Sequence, residues 1–146
     1  MLKKIGIGLL IIFVAIQFYR PAKNVSEVTS VNDFLEVNNV SKKLSKMIKT
    51  SCYDCHSNNT NYPWYAEVAP LSWWIAHHVD EAKEELNFSE WNAFSEKRKE
   101  KKLKEMIEEL EEKEMPLKSY LPMHPEAELS DEQINELTTW VKSLRK

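Results

Sequence analysis

Apolar side chains recur at helical spacing in four stretches of the chain, with Thr138 continuing the last of them. The four sets are Val40, Leu44, Met47 and Ile48; Leu71, Ile75, Val79, Ala82 and Leu86; Leu103, Met106, Ile107 and Leu110; and Ile134, Leu137, Thr138 and Val141. Because an α-helix turns once in about 3.6 residues, each set forms one apolar stripe beside a polar face. The pattern therefore predicts amphipathic helices that bury their stripes together, which is an all-α domain.

Residues 96–114 have the composition of a low-complexity charge run. The apolar stripe within this run predicts instead a helix that packs on one face. The last helix has a clear beginning, because Ser130 followed by Gln133 forms a capping box. Glycine occurs only at positions 6 and 8, which excludes phosphate-binding glycine loops and disfavours tight β-hairpins. Helix ends that usually take glycine must use asparagine instead, and the candidates are Asn58, Asn59, Asn61 and Asn87.

The first twenty residues follow a different pattern. Lys3 and Lys4 precede a run that is apolar on every side, and Arg20 follows it. A basic start before such a run predicts a membrane anchor or a cleaved signal segment. Residues 17–21 are bulky and offer no small-x-small cleavage site, which favours an uncleaved anchor helix with the rest of the chain exported. We therefore divide the chain into an anchor at 1–20, a polar tether at 21–39 and a domain at 40–146.

Charge narrows the class of partner. After Arg20 the chain carries 17 basic and 23 acidic residues. Nucleic-acid binding needs a basic face that neutralises phosphates, so an excess of acidic residues argues against a nucleic-acid partner.

The clearest chemical signal is the sequence Cys-Tyr-Asp-Cys-His at residues 52–56. Two cysteines three residues apart share one face of a helical turn, so Cys52 and Cys55 are spaced to bond one vinyl group each of a single haem. His56 then follows as the axial ligand of the iron. A structural zinc site would need four ligands, and no second cysteine pair exists to supply them.

Aromatic residues follow the motif closely. We expect Tyr62, Trp64 and Trp74 to wall the haem, although ordinary core packing is the alternative for each. His78 lies on the buried flank of its predicted helix, whereas His77 lies on the opposite side. His78 is therefore a candidate cofactor contact, with a hydrogen-bonded core histidine as the alternative interpretation.

The order of a helix, a CxxCH motif, further helices, a Met-Pro loop and a capped final helix resembles class I c-type cytochromes. Residues 45–140 are more closely similar to the bacterial family of exported haem-binding domains. The stretches that carry this second resemblance are 50–58, 62–65, 87–91, 114–117 and 124–127. It implies a class I cytochrome c-like helical haem domain with one covalently attached haem c. The resemblance also implies Met115 as the sixth iron ligand, and Met123, His124 and His78 remain as alternatives.

These features together predict a membrane-tethered, periplasmic, monohaem c-type cytochrome that transfers single electrons between transiently bound redox partner proteins. Two other classes remain open. A haem enzyme of the peroxidase type would need an open distal site and an acid–base group such as His78 or His124. A haem-based redox or gas sensor would normally bring an output domain.

Overall fold

The structure, a computed structural model, describes residues 1–26, 28 and 30–145. This part of the chain contains α-helices, short 3₁₀ turns and no β-strand, which confirms the all-α prediction. The 3₁₀ turns are Trp64–Glu67, Phe88–Ala93 and Pro125–Ala127. The helices are α1 (Leu2–Ile16), α2 (Phe34–Val37), α3 (Lys42–Ser51), α4 (Tyr53–His56), α5 (Leu71–Glu85), α6 (Glu96–Glu111) and α7 (Asp131–Leu144).

Three of the four predicted apolar stripes, those of α3, α6 and α7, form the core, whereas α5 buries only Val79 of its stripe. Leu44, Met47 and Ile48 of α3 pack with the buried stripes of α6 and α7. The capping box at Ser130 is present, with its hydroxyl accepting from the N–H of Gln133. The core thus brings the end of α3, where the motif begins, against the long helices α6 and α7 of the second half.

The core also includes α2, which the sequence places in the tether. Phe34 is fully buried, and its ring lies 5.0 Å from Phe88, 4.8 Å from Trp91 and 5.5 Å from Trp140, measured between centroids. The packed domain therefore begins before the predicted boundary at residue 40. The sequence indicates a short helical turn at 33–37, but two buried residues are too few to show the periodicity that would place this turn in the core.

The rest of the predicted tether, as far as it is described, lies against the domain. The Asn24 side chain donates to the carbonyl of Ser57 at 2.8 Å and to the hydroxyl of Thr60 at 2.9 Å. A single β-bridge pairs Val25 with Asn59. Residues 27 and 29 of the tether, and the last residue of the domain, lie outside the described residues.

Helix α1 is exposed along its length. Its C-terminal end meets the domain at Ala69, just before α5. The Gln17 amide donates to the Ala69 carbonyl at 3.0 Å and accepts from the Ala69 N–H at 2.9 Å. Nearby, the Trp73 indole N–H donates to the Tyr19 carbonyl at 2.8 Å.

The predicted transmembrane helix is not found. Within the part of the chain that the structure describes, no helix combines the length and the apolar character that crossing a membrane requires.

Candidate functional site

The motif lies at a break between two helices. Helix α3 ends at Ser51, and Cys52 caps both α3 and the single turn of α4. The Cys52 N–H still donates to the Ile48 carbonyl at 2.9 Å, so the turn is fixed to the end of α3. Both cysteines are free thiols and half-buried. The break therefore presents two thiols and His56 from one short, well-anchored segment.

The orientation of His56 is set by the backbone of α5. Its Nδ1 lies 3.0 Å from the carbonyl oxygen of Ala82 and 2.9 Å from that of Leu86. Carbonyls only accept hydrogen bonds, so Nδ1 carries the proton and Nε2 is the nitrogen left with a lone pair. Burial lowers the pKa of His56, which favours the neutral imidazole that binds metals. A histidine whose second ring nitrogen donates to a carbonyl is typical of metal ligands.

The three motif residues line a cavity of about 400 Å³ with mostly apolar walls. Its walls come from α4, α5, the Trp64–Glu67 turn and the loop at 112–124. The lining side chains include Cys52, Asp54, Cys55, His56, Trp64, Tyr65, Leu71, Trp74, Ile75, His78, Val79, Met115, Tyr120, Met123 and His124. An apolar slot with two thiols and a neutral imidazole on one wall fits a haem.

Of the aromatic residues predicted to wall a haem, Trp64 and Trp74 line this cavity. Trp64 is 77% exposed and Trp74 45% exposed, so both lie at its mouth. Tyr62 is placed outside the cavity. Its hydroxyl accepts from the N–H of Asn24 at 2.8 Å, so it holds the segment before α2 instead.

All four sulfur or nitrogen candidates for a sixth iron ligand line the same cavity, but their surroundings differ. Both ring nitrogens of His124 are engaged, Nε2 with the Tyr65 hydroxyl at 2.5 Å and Nδ1 with Glu126 at 3.2 Å. The Nδ1 of His78 donates to the Trp74 carbonyl at 3.0 Å, so its Nε2 is the nitrogen that could bind iron. Met123 is 57% exposed, whereas Met115 is half-buried.

The hydrogen bonds of three polar residues of the cavity, Asp54, Tyr65 and Tyr120, do not follow from the sequence, although Tyr65 belongs to the aromatic stretch after the motif. The Tyr120 hydroxyl donates to the Asp54 carboxylate at 2.8 Å, and the Tyr65 hydroxyl binds His124. Asp54 stands between the two cysteines, which was the one available signal. The tyrosines gave no signal because their partners are remote in sequence.

The paired thiols are protonated at neutral pH. Burial, helped by the neighbouring Cys55, raises the pKa of Cys52 to about 12. Burial, helped by Asp54, raises the pKa of Cys55 to about 11. The two cysteines therefore occupy the cavity wall as neutral groups, which suits contact with an apolar ring.

The fold and the cavity together define a helical haem-binding domain. The family model described as a haem-binding domain matches residues 11–143, and the chain belongs to that family. No curated protein and no solved structure matches the chain significantly.

Proposed function

We propose that this chain is a monohaem c-type cytochrome that transfers single electrons. Cys52 and Cys55 would hold the haem through two thioethers, and His56 Nε2 would bind the iron. In each thioether step the S–H bond breaks, a sulfur–carbon bond forms, and the hydrogen goes to the other vinyl carbon. The observation that carries the proposal is the double carbonyl contact at His56 Nδ1, beside two thiols in one apolar cavity.

Met115 is the proposed sixth ligand. It lines the cavity and is half-buried, while His124 is engaged at both nitrogens and Met123 is largely exposed. His78 is also half-buried with an unengaged Nε2 and remains the alternative, and the preference for Met115 over it rests on the family resemblance. When bound, a haem with His and Met ligands supplies a one-electron couple at a higher potential than one with two histidines. The chain's own part is to orient His56, to surround the ring with apolar side chains and to keep water out.

We also propose export to the periplasm and attachment to the inner membrane through the N-terminal segment, with transient docking of redox proteins. Support comes from the basic start at Lys3 and Lys4 and from the exposed apolar side chains of α1. Fractionating cells that express the whole chain, and the chain without residues 2–16, tests it. Loss of the protein from the membrane fraction only in the shortened chain is the expected result.

Covalent attachment is tested by a haem stain after denaturing electrophoresis. We expect staining of the wild type and of Met115→Ala, and loss of staining in a Cys52→Ser, Cys55→Ser double variant. A wild-type protein that releases its haem on denaturation would refute the c-type assignment.

Optical spectra of the ferric protein test the ligands. We expect a low-spin spectrum that Met115→Ala alters and that Met123→Ala, His124→Ala and His78→Ala leave low-spin. An unaltered spectrum in Met115→Ala moves the ligand to one of the other three. A high-spin, five-coordinate wild type that binds peroxide would favour the peroxidase alternative.

A further inference from the structure

Asp54 lies between the two cysteines of the motif and lines the cavity. One carboxylate oxygen accepts the Tyr120 hydroxyl at 2.8 Å, and the other accepts the N–H of Asn61 at 3.2 Å. The Asp54 carbonyl also accepts the Thr60 hydroxyl at 2.6 Å. Asp54 is thus held firmly by the turn after the motif, and it offers a fixed acceptor to Tyr120.

Tyr120 belongs to the loop at 112–124 that carries Met115. Its ring stacks on His124, with centroids 4.0 Å apart and planes within 8° of each other. His124 in turn binds the Tyr65 hydroxyl in the Trp64–Glu67 turn. The second half of the loop is therefore fastened at two points, once to the motif segment and once to the cavity mouth.

The donor in the contact with Asp54 is the Tyr120 hydroxyl, and its surroundings favour the protonated form. Burial, followed by the hydrogen bond to Asp54, raises the pKa of Tyr120 well above its usual value. The hydroxyl is therefore protonated at neutral pH and acts as the donor. A hydrogen bond to a carboxylate is also stronger than one between neutral groups.

We propose that Tyr120 and Asp54 are a positioning pair that holds the Met115 loop closed over the cavity. The proposal rests on the proposed function, since it concerns a haem held in that cavity. Met115 is five residues from Tyr120 in a loop without a regular helix, so the side-chain contact to Asp54 limits how far the loop can open. The segment that would bind the haem covalently thereby also holds the loop that carries Met115.

The test compares two tyrosine-to-phenylalanine variants of the haem-loaded protein. Tyr120→Phe removes only the hydroxyl and keeps the ring on His124. Tyr53→Phe is the matched control, because its hydroxyl also binds an aspartate, Asp33, at 2.7 Å but lies outside the cavity. Both variants are titrated with imidazole in the ferric state, and the methionine-to-iron charge-transfer band is recorded.

We expect Tyr120→Phe to weaken that band and to bind imidazole about tenfold more tightly, the factor that corresponds to losing one such hydrogen bond. Tyr53→Phe should stay within about twofold of wild type, since the closing contact is intact. Equal changes in the two variants would mean general loosening and would overturn the proposal. Wild-type behaviour of Tyr120→Phe would overturn it as well.

If Tyr120→Phe accumulates no loaded protein, Asp54→Asn carries the test. Asparagine keeps an acceptor oxygen but loses the charge, so imidazole affinity should rise above that of the wild type, by less than about tenfold. An unchanged affinity in Asp54→Asn would then reject the positioning role. Failure of the proposed function itself shows separately, as a wild-type protein without covalent haem.

Discussion

The two thiols of the motif lie in surroundings that favour their protonated forms. The pKa of Cys55 is about 11 and that of Cys52 about 12, against an ordinary value of 9.0. Because the folded-state pKa values are raised, the neutral thiols stabilise the haem-free fold fully below about pH 9. That stabilisation is lost as the pH rises through the folded-state values.

The raised pKa values predict slow alkylation of the haem-free protein at pH 8. Only the thiolate reacts, and a pKa two units higher lowers the thiolate fraction about a hundredfold. We expect iodoacetamide to label the folded chain at least about a hundredfold more slowly than the same chain in denaturant. Mass spectrometry at timed intervals gives both rates.

The denatured chain is the control, because it contains the same cysteines without the cavity. Single Cys52→Ser and Cys55→Ser variants assign each rate to one thiol. Folded-state labelling as fast as in denaturant would show that the thiols are not shielded as the structure indicates.

The residue types of the site could be predicted from the sequence, but the hydrogen-bond partners of these residues could not. Cys52, Cys55 and His56 are adjacent, so spacing alone brings them together. The partners of His56 are carbonyls of α5, and any residue there would supply a carbonyl. Tyr62 illustrates the opposite error, since nearness in sequence to the motif did not bring it into the cavity.

Among the elements, α2 is short, but two of its four residues, Phe34 and Leu35, are buried in the core. Asp33 precedes α2 as its N-cap, and the ring of Phe34, the first residue of the helix, is buried among three aromatic rings. Asp33 also accepts the Tyr53 hydroxyl, which joins α2 to the motif helix. The α2 helix thus belongs to the core and contacts the motif helix outside the cavity.

We predict that Phe34→Ala lowers the free energy of unfolding by about 3–5 kcal/mol, the usual cost of deleting a buried aromatic ring. Phe18→Ala is the matched control, because Phe18 is 86% exposed and its removal leaves no cavity. It should change the free energy by less than about 0.5 kcal/mol. Chemical denaturation measures both, and equal effects would mean that α2 is not part of the folded domain.

The end of α6 shows how packing overrides local preference. The chain turns there at Lys113, whose φ of 57° lies in the region that glycine and asparagine adopt most easily. The Lys113 ammonium contacts Asp131 at 2.5 Å, just inside α7. Of the asparagines, Asn39 takes a positive φ, and none of the four predicted from the sequence does. Tertiary packing of α6 against α7 therefore sets the turn, and composition does not reveal it.

For the whole molecule, the all-α class followed from periodicity because each stripe needed a partner surface. The relation of α1 to the domain did not follow, since it depends on a few polar contacts at its end. Gln17 makes two of these, both with the backbone of Ala69. Arg20 and Lys23 add ion pairs with Glu67.

Gln17→Ala should loosen this connection without unfolding the domain. The Ala69 N–H, which donates to Gln17, should exchange with solvent about fivefold to tenfold faster, as expected for one lost hydrogen bond. The N–H of Leu44, bonded to the Ser41 cap in the core, is the internal control and should keep its rate. Hydrogen exchange by NMR measures both, and an unchanged Ala69 rate would show that α1 is not held at this point.

The hydrogen bonds between the end of α1 and the domain limit how far the cavity can move relative to α1. If the predicted 19-residue tether were a flexible coil, its root-mean-square end-to-end distance would be about 25 Å, and the domain could move away from α1 by that distance. Here, however, Gln17 is hydrogen-bonded to Ala69 and Asn24 to Ser57 beside the motif, so both ends of the stretch 17–24 are held against the domain. Under the proposed attachment to a membrane, the cavity would stay close to the C-terminal end of α1. A redox partner would then have to come to the cavity near that end.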